Sequence, residues 1–108
     1  MSQVRQISVQ ELSRLLSGPN PPCVVDVREN WELAIASLPG AIHIPLNQIP
    51  LRLKELDASR EIITLCKAGG RSQMAAEFFL AHGYDRIANL TGGIDAWARE
   101  VDPSMNTY

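Results

Sequence analysis

Within seven residues this chain places a cysteine, two cations and two glycines: Cys66-Lys67-Ala68-Gly69-Gly70-Arg71-Ser72. Successive backbone N–H groups around such a turn can aim at one point, and glycines let the backbone close in without a Cβ in the way. A helix starting at the end of the turn adds the positive end of its dipole. Those surroundings favour a thiolate, the nucleophilic form of cysteine. No acidic residue lies between Glu61 and Glu77, whereas Lys67 and Arg71 do, so the local field is expected to be cationic. The chemistry this pattern suits is attack by a sulfur anion on a substrate that is, or becomes, negatively charged.

Each residue also has a plainer use. Cys66 can be a small buried hydrophobe in a glycine-rich turn. Lys67 can be a solvated side chain, and Ser72 a first-turn helix cap instead of a ligand donor. Arg71 at a helix start opposes the dipole unless an anion or carboxylate offsets it, which favours a functional role. Asp26 and Arg28, at the end of a neighbouring strand, are expected either to orient the loop or to form an N-cap and a surface ion pair with Glu29 and Glu32. Trp31 and Trp97 read as helix–sheet packing, and His43 and His82 as structural. Cys23 reads as core.

These residues need a frame. Ser8 to Leu16 reads as a first helix with a Ser8/Glu11 capping box, closed by Gly18-Pro19-Asn20-Pro21-Pro22. Cys23 to Val27 has the short apolar look of a strand buried on both faces, and Arg28 to Ala36 that of a short helix. Pro39-Gly40 turns the chain into a brief strand at Ala41–Ile44, and Pro45 opens a weaker helical stretch through Leu56. Glu61 to Leu65 is a second buried strand. Arg71 to His82 follows as a helix with apolar spacing at Met74, Phe78 and Ala81, stopped by Gly83. Arg86–Leu90, a Thr91-Gly92-Gly93 turn and a helix from Ile94 to Glu100 complete the pattern. Strands alternating with helices predict an α/β domain with a mainly parallel sheet of about five strands and helices on both faces. In such sheets sites gather at the carboxyl ends of strands, and Cys66 lies at one.

Length and composition agree. A chain of 108 residues suits one domain, with a core over about residues 5–101 and a polar tail at 102–108. Ten basic against twelve acidic residues give a net charge of −2, which sets up no field for nucleic acid or an anionic membrane. Two cysteines and two histidines, none closely spaced, imply neither a disulfide scaffold nor a metal centre. With neither a signal-like leader nor a membrane-length apolar run, a cytoplasmic location is expected.

Four segments in order carry a family resemblance: Asp26-Val27-Arg28-Glu29, Pro39-Gly40-Ala41-Ile42-His43-Ile44-Pro45, Cys66 to Ser72, and Leu90-Thr91-Gly92-Gly93-Ile94-Asp95-Ala96-Trp97. Over nearly its whole length the chain resembles a single-domain rhodanese, a thiosulfate sulfurtransferase of the rhodanese-like superfamily. Ala36-Ser37-Leu38 departs from the glycine-histidine-isoleucine that many members carry there. The resemblance implies that Cys66 takes the outer sulfur of a donor such as thiosulfate as a persulfide. Cys66 then passes it to cyanide, a thiol or a sulfur-accepting protein. Lys67, Ala68, Gly69, Gly70, Arg71 and Ser72 would bind substrate, with Lys67 and Arg71 on the sulfonate oxygens, and no cofactor or metal would be needed.

Two other readings compete. Cysteine-dependent phosphatases and arsenate reductases resemble this fold, but four residues, Lys67 to Gly70, separate Cys66 from Arg71, and the phosphatase loop is one residue longer. The shorter ring suits a sulfur atom better than a phosphoryl group. A non-catalytic sulfur-carrier or regulatory module is the other, since a fold alone does not establish an activity.

Overall fold

The computed structural model describes residues 3–108. Ten helices and strands alternate along the described chain: β1 (Arg5–Ile7), α1 (Val9–Leu16), β2 (Cys23–Asp26), α2 (Asn30–Ile35), β3 (Ile42–His43), α3 (Ile49–Arg52), β4 (Ile62–Leu65), α4 (Gly70–Ala81), β5 (Ile87–Leu90) and α5 (Gly93–Glu100). The five strands form one sheet in the order β1-β5-β4-β2-β3, every pair parallel. The expected α/β class, with helices on both faces of a parallel sheet, is what the chain adopts.

Period-two alternation divides the strand side chains between two cores. Val24, Ile63, Leu65, Ala88 and Leu90 join Leu12, Ile94 and Trp97 beneath α1 and α5. Cys23, Val25, Ile62 and Ile87 pack with Ile49, Ala75, Ala76 and Phe79 beneath α3 and α4. The same alternation delivers two polar side chains to the α4 face, because Thr64 and Asn89 are paired across β4 and β5. Both are buried, and the Thr64 hydroxyl donates to the carbonyl of Ser72 at 2.9 Å.

Several expectations are corrected. β1 carries no apolar pattern, since Arg5 and Gln6 are exposed, yet it pairs with β5 as an edge strand. The Ser8 hydroxyl accepts from the Glu11 N–H, but the reciprocal half of that capping box is not made. α2 starts at Asn30 with a capping box between Glu29 and Glu32, so Asp26 is not its cap. The helical stretch after Pro45 breaks into a 3₁₀ turn, the four-residue α3 and another 3₁₀ turn. In α4 the buried stripe is Ser72, Ala75, Ala76 and Phe79, which leaves Met74 61% exposed. Trp97 is buried as packing, but Trp31 is 61% exposed, because α2 turns Glu32 inward and not its tryptophan. Within residues 102–108, Met105 and Tyr108 pack against the α5-side core.

Candidate active site

The parallel register carries β4 into the loop that holds Cys66. Cys66 follows Leu65 directly and is 1% exposed, and α4 begins at Gly70. The loop closes on its own sulfur: Gly69 N–H donates to Cys66 Sγ at 3.0 Å, and Ser72 Oγ lies 3.2 Å from it. Gly69 holds φ +119°, a conformation that L side chains avoid. Burial pushes the Cys66 thiol up, but the Ser72 hydroxyl and the N–H groups of Ser72, Gly69 and Ala68 outweigh it and hold the thiol below its ordinary value.

α5 holds the loop from outside. The N–H groups of Ile94 and Asp95 donate to the carbonyls of Cys66 and Lys67 at 2.9 and 3.0 Å. Those carbonyls are therefore satisfied by the start of α5. Gly93 makes this approach possible: a Cβ there would sit 2.4 Å from both carbonyl oxygens. The Gly92-Gly93 pair was visible in sequence as a turn, but its service to the Cys66 loop was not.

The charges differ from the local reading. Lys67 Nζ pairs with Asp95 of α5 at 2.9 Å, and Arg71 grips Glu32 of α2 through both terminal nitrogens at 2.6 and 2.8 Å. Folding thus brings two distant carboxylates onto the two cations of an acid-free segment, and the expected cationic field is compensated. Arg71 holds the Glu32 carboxyl down to about 2, against the opposing effect of burial. Ser72 is buried against Cys66 and Asn89, not placed as a cap.

Asp26 and Arg28 form a buried pair at 2.7 Å with side chains 1% and 0% exposed, so the surface ion pair with Glu29 and Glu32 does not form. Arg28 also donates to the Ala36 carbonyl and to the Tyr108 hydroxyl, and that hydroxyl donates to Glu32 at 2.6 Å. The pair therefore reaches the loop through Tyr108, which bonds Glu32, the partner of Arg71. Lys67 Nζ lies 4.8 Å from the centre of the Tyr108 ring. Tyr108, Glu32, Asp95 and Asn89 surround the site without having been singled out for it, because nothing near them in sequence marks the association. His43 bonds the Arg28 carbonyl and His82 that of Phe78. Cys23 and Cys66 are both free thiols. Among the described residues no three His, Cys, Asp or Glu side chains converge as a metal set, and no helix is long and apolar enough to cross a membrane.

Comparisons with known proteins bear on the family and the fold. The rhodanese-like domain family matches residues 8–100. A sulfurtransferase of Allochromatium vinosum is 36% identical over 100 residues, covering 93% of this chain and 94% of its own. A chloroplast rhodanese-like/PpiC domain-containing protein of Arabidopsis thaliana is 38% identical over 112 residues, and there the chain spans 38% of the relative. The crystal structure of a rhodanese-like domain protein from Staphylococcus aureus superposes with a TM-score of 0.84 at 33% identity, covering 91% of this chain and 95% of that one. A cysteine loop of this build on a five-stranded parallel sheet, with single-domain relatives that are sulfurtransferases, supports a sulfurtransferase role, and the chain belongs to the rhodanese-like domain family.

Proposed function

We propose that the protein moves a sulfane sulfur from thiosulfate, or a donor like it, through a persulfide on Cys66 to a nucleophilic acceptor such as cyanide or a thiol. The observation that carries this reading is the convergence of the Gly69 N–H and the Ser72 hydroxyl on one buried sulfur. The Cys66 thiolate attacks the outer sulfur of thiosulfate, a new S–S bond forms, and the old one breaks with its electron pair leaving on sulfite. Cys66 then carries a terminal sulfur anion, which the N–H groups of Ala68, Gly69 and Ser72, the same that lower the Cys66 thiol, would stabilise. Attack by the acceptor on that terminal sulfur releases the Cys66 thiolate and yields thiocyanate from cyanide, or a persulfide from a thiol. No cofactor enters either step.

Lys67 and Arg71 act here as compensated cations. The Glu32 pairing uses two of the five guanidinium N–H bonds of Arg71, and the rest remain to meet a sulfonate oxygen. Lys67, about one-third exposed, can swing from Asp95 towards an entering anion. The acceptor in a cell, a small thiol or a sulfur-accepting protein, would meet the sulfur beside Lys67 and Arg71, in the cytoplasm. The test is sulfite release from thiosulfate in the presence of cyanide: the protein turns over, Cys66→Ser does not, and full turnover by Cys66→Ser overturns the assignment.

A further inference from the structure

The Ser72 hydroxyl has one hydrogen and two acceptors. Its oxygen lies 2.5 Å from Asn89 Oδ1 and 3.2 Å from Cys66 Sγ. The orientation of Asn89 is fixed independently of Ser72, because its Nδ2 donates to the backbone carbonyl of Gly69 at 3.3 Å and to Gln6 Oε1 at 3.0 Å. A carbonyl only accepts, so Nδ2 must face it and Oδ1 must face Ser72. Gln6 is itself oriented, donating through Nε2 to Gln73. The Asn89 residue is 4% exposed, and β5 presents it, beside Thr64, on the face under α4.

We propose that Asn89 is a positioning residue that acts through Ser72, its Oδ1 competing with the Cys66 sulfur for the Ser72 hydrogen and so setting how strongly the loop favours the sulfur anion. While Cys66 is a thiol, Ser72 donates to Asn89 and can accept the S–H. When the thiol proton leaves to solvent, the hydroxyl rotates and donates to the thiolate. When Sγ becomes the inner sulfur of a persulfide it is no longer the anion, and the hydrogen returns to Asn89. This rests on Cys66 being the reactive sulfur, but its readout needs no sulfur transfer. The charged groups around the loop are Lys67 with Asp95, Arg71 with Glu32, and Asp26 with Arg28, joined to Glu32 by the Tyr108 hydroxyl. Substituting Asn89 alters none of these pairs.

The experiment is the pH dependence of Cys66 alkylation by iodoacetamide, followed by mass mapping of the labelled peptide. Asn89→Leu removes the competing acceptor, so the thiolate-to-thiol ratio at a given pH rises about tenfold. Asn89→Ala reads the same quantity if leucine is not accommodated, since both delete Oδ1. Asn89→Asp keeps an acceptor facing Ser72 and gives no rise. On a Ser72→Ala background, Asn89→Leu moves the profile no further. A purely structural role predicts the opposite sign: loosening the Gly69 carbonyl displaces the Gly69 N–H and lowers the thiolate fraction. An unchanged or lowered fraction in Asn89→Leu, or an equal rise in Asn89→Asp, overturns the proposal. If alkylation responds as stated while thiosulfate turnover is absent, the positioning role stands and the sulfurtransferase reading falls.

Discussion

Cys23 opens β2 and Cys66 directly follows the adjacent parallel strand β4, and both are buried, 8% and 1% exposed. Their thiols move in opposite directions. Burial pushes Cys23 up, only partly countered by the charge of Arg60, whereas at Cys66 the same penalty is outweighed by the Ser72 hydroxyl and three backbone N–H groups. The more buried cysteine is thus the better thiolate. What separates them is the end of the strand each occupies. Cys23 opens β2, where its N–H joins the sheet by bonding Glu61, while Cys66 follows the last residue of β4, where the backbone leaves the ladder and its amides are free to turn inward. Cys23 pairs across from Ile62 and Cys66 lies beyond Leu65, a separation of several residues at about 3.3 Å each. That exceeds the ~7 Å Cα limit for a disulfide.

The contrast can be broken most severely at Gly93. Gly93→Ala drives a Cβ into the Cys66 and Lys67 carbonyls at φ +58° and should cost about 3 kcal/mol of stability, read by denaturant titration, with transfer activity lost in the folded fraction. Next is Ser72→Ala, which removes a donor from Sγ and should move the Cys66 alkylation profile about one pH unit upward, towards that of Cys23.

Glu32 tests the support from α2. Its carboxyl ionises at about 2 in the fold against an ordinary 4.5, so its contribution to stability is full above about pH 4.5 and disappears as pH falls through 2. Glu32→Gln should flatten the acid limb of the stability–pH curve between those values and leave the curve above pH 4.5 parallel to that of the parent. The smallest effect belongs to Cys23→Ser, which places a hydroxyl in the α4-side core and should cost roughly 1–2 kcal/mol while sparing transfer. Loss of transfer with the fold intact would erase the distinction between the two cysteines.

The parts of this site that could be read in sequence are those whose cause is local. A cysteine after a β-branched run, glycines in the turn and a helix start within a few residues are enough to place the loop, and buried β2 and β4 follow from their continuous apolar character. Charge was not local. Counting acids between Glu61 and Glu77 predicted an uncompensated field, yet Glu32 lies 39 residues from Arg71 and Asp95 lies 28 from Lys67. For Arg28 the sequence leaves open a loop-orienting role or a surface ion pair, and its burial depends on Asp26, the Ala36 carbonyl and Tyr108 meeting around one guanidinium. β1 escaped because an edge strand of three residues with two exposed side chains has no hydrophobic period to detect. The phase of α4 was misread because its sheet-facing stripe uses alanines and a serine, small enough for close approach, while its larger Met74 faces out.

Which sulfur accepts the transferred atom is read directly by intact mass followed by peptide mapping, before and after thiosulfate and again after cyanide. The predicted result is a gain of one sulfur atom on the peptide containing Cys66, none on that containing Cys23, and its removal by cyanide. A sulfur found on Cys23, or no gain on either peptide, would contradict it.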